Sequence, residues 1–73
     1  MNLKVGQLYV ASDKCHLYTN EYFVLELLDL ELERTVEPNE ICMILQIKAF
    51  SSYYALRILK SDGTVGWIMY LDQ

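Results

Sequence analysis

Short runs of alternating apolar and polar residues cover most of this chain, which is the pattern of β-strands with one buried face. The strands predicted from these runs lie at residues 6–11, 15–19, 41–47, 53–59 and 64–71. In the run 53–59, alternation puts Tyr54, Leu56 and Ile58 on one face. The unbroken apolar run 41–47 is instead expected to fill the interior.

Residues 22–34 are rich in Leu and Glu, which favours helix by intrinsic propensity. From Leu28 to Glu33, however, leucines alternate strictly with acids, and this predicts a strand with leucines on one face and carboxylates on the other. The pair Leu27-Leu28 shifts the phase of the alternation and predicts a bulge or bend. A short helical turn within residues 22–34 stays open as the alternative.

Two turns divide the second half of the chain. Residues 37–40, Glu-Pro-Asn-Glu, favour a turn because Pro fixes φ and Asn tolerates unusual backbone angles. Asp62-Gly63 lies between two strand-like runs and predicts a hairpin, so the last two strands should be adjacent and antiparallel. Short strands with frequent turns in 73 residues predict an all-β fold, a small barrel of five to six strands.

Length and composition narrow the class of protein. A chain of 73 residues predicts a single domain over residues 1–73, and 53% hydrophobic with 22% charged residues predicts that it folds. This apolar content is high for so small a surface, so part of the surface is expected to meet another molecule. The net charge of -4 argues against a nucleic-acid partner, because that binding depends on Lys and Arg contacts to phosphates.

Candidate catalytic and metal-binding groups are few. Cys15 and Cys42 are expected to remain free thiols, and together with His16 they do not provide a metal site. Cys15 and His16 are neighbours on a predicted strand and point to opposite faces, so they do not form a catalytic pair. We therefore expect no enzyme, metal or cofactor. The sequence has no recognisable leader or membrane span, and a cytoplasmic location is expected.

The carboxy-terminal third resembles the end of bacterial Src homology 3 domains, in which an aromatic-led strand is followed by an Asp-Gly turn and a Gly-Trp-aliphatic element. Here these parts are residues 53–59, Asp62-Gly63 and Gly66-Trp67-Ile68. Residues 36–47 are more weakly similar to the polar turn and apolar strand of that family. The resemblance implies a closed Src homology 3-like barrel, and it implies an accessory factor of a phage or bacterium that binds and modulates another protein.

Aromatic and acidic residues are the candidate contacts. Tyr and Trp on a surface often anchor protein interfaces, and the aromatic residues here exceed what a small core holds. Asp29, Glu31 and Glu33 on one strand face would meet Lys or Arg of a partner, or would only keep a sheet edge soluble. Trp67 is either a contact or the core anchor. The predicted protein-binding residues are Tyr18, Tyr22, Asp29, Glu31, Glu33, Tyr53, Trp67 and Tyr70.

Three functions follow from these features. The first is a non-enzymatic protein-interaction module whose partner has a basic surface. The second is a structural subunit that buries its apolar surface in a homo-oligomer. The third, least favoured by the charge, is a small barrel that binds nucleic acid. No membrane partner is expected.

Overall fold

Strands dominate the fold in the computed structural model, which describes residues 2–71. The elements in chain order are β1 (Leu8–Val10), β2 (Cys15–His16), α1 (Leu27–Leu32), β3 (Thr35–Val36), β4 (Ile41–Ala49), β5 (Tyr54–Lys60) and β6 (Val65–Tyr70). Each of the five predicted strand regions overlaps one of these strands, and β4 and β5 extend beyond their predicted ends. The prediction of a small strand-rich fold is therefore confirmed.

The strands form two open sheets. β1, β4, β5 and β6 make an antiparallel sheet in that order, and β2 pairs with β3. The sheets meet where Tyr18 and Trp67 exchange backbone N–H···O hydrogen bonds of 2.9 and 2.8 Å. Within residues 2–71, β1 has no strand on its second edge. The prediction of a closed barrel is therefore wrong, because β2 and β3 are too short to join β6 back to β1.

The turn at Asp62-Gly63 joins β5 to β6. Gly63 has a φ of 90°, which a residue without a Cβ adopts readily. The Asp62 carboxylate accepts the N–H of Thr64 at 2.9 Å, and Leu59 pairs with Val65 at the start of the ladder. The prediction that the last two strands are adjacent and antiparallel is confirmed.

Residues 27–32 are helical, so the strand predicted from Leu28 to Glu33 is wrong and the short helical turn is confirmed. The N–H of Leu30 donates to the Glu26 carbonyl and that of Glu33 to the Asp29 carbonyl, both at 3.1 Å. Glu33 ends α1 with a left-handed φ of 47°. The bulge predicted at Leu27-Leu28 is absent because these residues belong to the helix.

None of the helical residues within 2–71 belongs to a helix with the length and hydrophobicity needed to cross a membrane.

β4 has one face toward the core and one toward solvent. Cys42 and Ile44 are buried, whereas Ile41 and Met43 are exposed. A bulge follows Ile44 and shifts the pairing with β5. The prediction that the whole run 41–47 fills the interior is therefore wrong, because successive side chains of a strand point to opposite faces.

The core lies between the inner face of the four-stranded sheet and the residues around β2 and β3. Its clustered buried side chains are Ala11, Leu17, Val36, Cys42, Leu56, Ile58 and Ile68. Leu56 and Ile58 confirm the inward face predicted for β5. Gly66 lets the chain before Tyr18 approach β6, since a Cβ there would lie 2.4 Å from Cγ of Leu17.

Candidate protein-binding surface

Most apolar side chains between residues 22 and 32 face solvent. Leu27 is 71% exposed and Tyr22 is 62% exposed. We define the leucine segment as the six exposed aliphatic residues that follow Phe23, namely Val24, Leu25, Leu27, Leu28, Leu30 and Leu32. Monomeric soluble proteins rarely leave so many neighbouring apolar side chains uncovered. The leucine segment is therefore the strongest candidate for contact with another molecule.

Asp29 holds the leucine segment in this orientation. Its side chain is buried, with 1% of the residue exposed. One carboxylate oxygen accepts the N–H of Thr19 at 2.8 Å, and the other accepts the Thr19 hydroxyl and the N–H of Glu26, both at 3.0 Å. The helix thus turns Asp29 inward and its leucines outward, which reverses the usual pattern of a surface helix.

The same contacts set the charge of Asp29. Burial raises the pKa of its carboxyl group, but the hydrogen bonds from Glu26 and Thr19 and the nearby His16 lower it more, so the pKa lies below its usual value. His16 Nε2 is 4.0 Å from Asp29 Oδ1. Asp29 is therefore ionised at neutral pH. Its buried negative charge is stabilised by the hydrogen bonds that it accepts from Thr19 and Glu26.

The predicted row of acids does not form. Asp29 points inward, whereas Glu31 and Glu33 are exposed and make no salt bridge with residues 2–71. Glu26 is also exposed, and residues 15–33 contain no Lys or Arg. The leucine segment is therefore bordered by negative charges, and residues 15–33 supply no positive charge beside it.

Six aromatic rings form a continuous row that ends next to the leucine segment in sequence. Consecutive ring centroids are 4.6 to 5.9 Å apart. In order, this aromatic row consists of His16, Tyr18, Phe23, Tyr53, Phe50 and Tyr22. It brings together the predicted contacts Tyr18, Tyr22 and Tyr53. A depression of about 370 Å³, lined by residues 50–54, lies beside it.

Sequence reasoning missed Phe23 and Phe50, because nothing in the sequence shows that residues 22–23 and 50–53 meet. The contact is made by side chains from two loops. Lys48 also ties these regions together, since its ammonium lies 2.6 Å from the Glu21 carboxylate. That ion pair keeps Lys48 charged and raises its pKa.

Trp67 and Tyr70 lie apart from the exposed surface. Trp67 is 8% exposed, and the Lys48 ammonium lies 5.8 Å from its ring centre, so the packed alternative for Trp67 is favoured. Tyr70 is on the other face of β6, half-buried between Tyr9 and Tyr54 at centroid distances of 6.2 and 6.4 Å. These two predicted contacts therefore contribute packing more than accessible surface.

A second apolar surface covers part of the outer face of the four-stranded sheet. Strand register places Leu8, Met43, Leu59 and Val65 side by side across all four strands. We define the open face as these four residues with Val10 and Ile41, which pair in the next row. A depression of about 350 Å³ lies among Leu8, Met43 and Leu59. The sequence did not reveal this surface, because the run 41–47 was expected to lie wholly in the interior, whereas Ile41 and Met43 are exposed.

The thiols and His16 are not arranged for nucleophilic chemistry. Cys15 and Cys42 are free, as predicted. Burial, and to a smaller extent the charge of Glu40, raises the pKa of the Cys15 thiol, which keeps it protonated at neutral pH. A protonated thiol is a poor nucleophile. His16 instead packs edge-to-face against Tyr18 in the aromatic row.

Comparison of the chain with protein-family models, with curated proteins and with solved structures found no match.

Proposed function

We propose that this chain is a non-enzymatic protein-interaction module that binds another protein through the leucine segment and the aromatic row. The observation that carries the proposal is the inverted helix, in which Asp29 is buried and the leucines around it are exposed. Burying an exposed Leu side chain on binding is worth about 2 kcal/mol. The six exposed aliphatic side chains would form the apolar part of such a contact, and the hydrogen bonds of the Asp29 carboxylate hold them on the surface.

The charges beside the leucine segment indicate which kind of surface the partner would have. Glu26, Glu31 and Glu33 are exposed around apolar side chains. A partner with an apolar patch bordered by Lys or Arg would match them, and the charges would chiefly raise the association rate and the specificity. Tyr22 and Phe50 add rigid rings at one end, and such rings lose little side-chain entropy on binding.

The proposed cellular role is that of an accessory factor, cytoplasmic and encoded by a phage or bacterium, that modulates the protein it binds. This role rests on the resemblance to bacterial Src homology 3 domains at Asp62-Gly63 and Gly66-Trp67-Ile68. We propose kinship with that family on these residues. The open sheets depart from the closed barrel that this kinship implies, and the proposed binding surface does not depend on the kinship.

A photo-crosslinking amino acid at Leu27 tests the proposal. Introduced into the tagged chain in native host cells, it should form an adduct with one other protein, because Leu27 lies in the middle of the proposed contact. Adding Leu30→Gln to the same chain should reduce the adduct about tenfold, which corresponds to losing roughly 1.4 kcal/mol of binding. The adducts are measured by mass after denaturing purification.

Val5 provides the matched control position. It is 62% exposed and apolar, yet lies outside the leucine segment, the aromatic row and the open face. The same photo-crosslinker at Val5 should not yield the adduct seen from Leu27. Equal adducts from both positions, or adducts that Leu30→Gln leaves unchanged, would disprove the proposed contact surface.

A further inference from the structure

This small chain exposes two separate sets of aliphatic side chains, the leucine segment and the open face. Leu8, Val10, Ile41 and Met43 in the open face are each at least 40% exposed. The other end of the same sheet face is covered, because Trp67 is buried there beneath Lys48 and next to Tyr18. A sheet normally packs each apolar face against another layer. Half of this outer face has no such layer within residues 2–71.

The charges on the two surfaces are opposite. The outward strand positions of this sheet face hold no acid, and Arg57 is the basic residue next to the open face, since Lys48 lies at the covered end. Arg57 is exposed and lies two residues from Leu59 on β5, which places it about 7 Å along the strand on the same face. The leucine segment is bordered by Glu26, Glu31 and Glu33. Each surface therefore has the charge that the other lacks.

These charges decide how two copies can meet. Leucine segment against leucine segment would bring the same acids together, and open face against open face would bring Arg57 to its counterpart. Pairing one surface with the other instead joins apolar side chains and places acids opposite Arg57. Like charges forced together at an interface cost binding energy, whereas opposite charges steer association.

We propose that the leucine segment of one copy binds the open face of a second copy. The depression among Leu8, Met43 and Leu59 offers a place for a leucine side chain from α1. A helix laid on the sheet supplies the missing layer. The inference rests on the proposed function, since it uses the same leucine segment, and it names a second copy of the chain as an occupant that excludes the other protein.

Two purified double variants test this contact. Leu27→Gln with Leu30→Gln alters the leucine segment and keeps helix propensity, and Leu8→Thr with Ile41→Thr alters the open face and keeps strand propensity. Light scattering up to about 1 mM should show wild-type mass rising above the 8.6 kDa of one chain, with each variant remaining a monomer. An equimolar mixture of the two variants should associate again, because the mixture contains one intact surface of each kind.

Recovery of association on mixing the two variants distinguishes this contact from nonspecific hydrophobic association. Val5→Thr, which changes an exposed residue outside both surfaces, should associate like the wild type. Thermal unfolding of each variant should match the wild type within about 2 °C, since all the altered side chains are exposed. The proposal is overturned if the wild type stays monomeric at about 1 mM, or if the mixture fails to associate.

Failure here and failure of the proposed function give different results. A monomeric wild type that still forms an adduct with another protein from Leu27 would refute only the contact between copies. Association on mixing, with adducts between copies and none with another protein, would refute the proposed partner and keep the contact between copies. The latter result would make the chain a homo-oligomer subunit.

Discussion

Asp29 occupies the position in α1 that an apolar side chain fills in most surface helices. It is the one buried charged residue within residues 2–71. Its carboxylate is compensated because it accepts three hydrogen bonds, two of them from Thr19. A carboxylate in this place ties α1 to the chain next to β6. A leucine at this position could not replace Asp29, because its side chain has no acceptor for the hydrogen bonds from Thr19 and Glu26.

Replacing Asp29 with Asn should lower the melting temperature by about 10 °C at pH 7, because an amide cannot accept all three hydrogen bonds and leaves buried donors unpaired. The pKa of Asp29 is lowered in the folded protein, so its ionised form stabilises the fold above about pH 3.8. This contribution is lost as the pH falls through the lowered pKa. The difference between wild type and Asp29→Asn should therefore shrink below about pH 3.8. Thermal unfolding followed by circular dichroism measures both effects.

Glu31→Gln is the control for this change. It removes the same charge two residues away, but Glu31 is exposed. Its melting temperature should stay within about 2 °C of the wild type at every pH. If Glu31→Gln and Asp29→Asn lowered the melting temperature equally, the removal of one negative charge would explain the effect. The hydrogen bonds between Thr19 and Asp29 would then not be its cause.

At the scale of elements, local patterns predict the strands and fail at the helix. The hairpin at Asp62-Gly63 is readable because its turn chemistry and both flanking strands are local. The alternation from Leu28 to Glu33 is misleading, since it assumes that the leucines are buried. What decides the helix is the contact of Asp29 with Thr19, ten residues away, and periodicity cannot report a partner at that distance. Glu26 and Asp29, three residues apart, were the available hint of a helix start.

The close approach of the chain at Leu17 to β6 makes a second prediction. A Cβ on Gly66 would lie 2.4 Å from Leu17 Cγ and 2.9 Å from the Tyr18 carbonyl oxygen. Gly66→Ala should therefore push this segment away from β6 and cost about 3 kcal/mol of unfolding free energy. Gly63→Ala meets no atom within 4 Å and only strains a φ of 90°, so it should cost about 1 kcal/mol. Urea denaturation of both variants compares the two costs.

A double variant identifies the cause of the larger cost. Leu17→Ala opens space beside Gly66, so its effect combined with Gly66→Ala should be smaller than the sum of the two single effects. The contact with Leu17 would not be the cause if the effects of Leu17→Ala and Gly66→Ala simply added. The same would follow if Gly63→Ala cost more unfolding free energy than Gly66→Ala.

At the scale of the whole molecule, stability and interaction surface are separated. The buried side chains cluster on the inner face of the large sheet, where Leu56, Ile58 and Ile68 are almost fully enclosed. Most of the exposed aliphatic side chains belong to α1 and its flanks and to the opposite face of the sheet. Altering the binding surfaces should therefore leave the core intact. The six residues of α1 have little support of their own beyond Asp29, because a helix that short is unstable without tertiary contacts.

This separation predicts two rates of amide hydrogen exchange. In dilute protein, amides of Leu56 and Ile58 should exchange only on global unfolding, whereas the helical amides of Leu30 and Glu33 should exchange at least about 100-fold faster through local opening. Asp29→Asn should speed exchange at Leu30 and Glu33 further, because it removes the tie to Thr19. At concentrations where copies associate, the helical amides should become slower as α1 is covered. Equal protection of α1 and β5 in dilute protein would show that α1 unfolds only with the core, and the exposed leucines would then belong to a rigid surface.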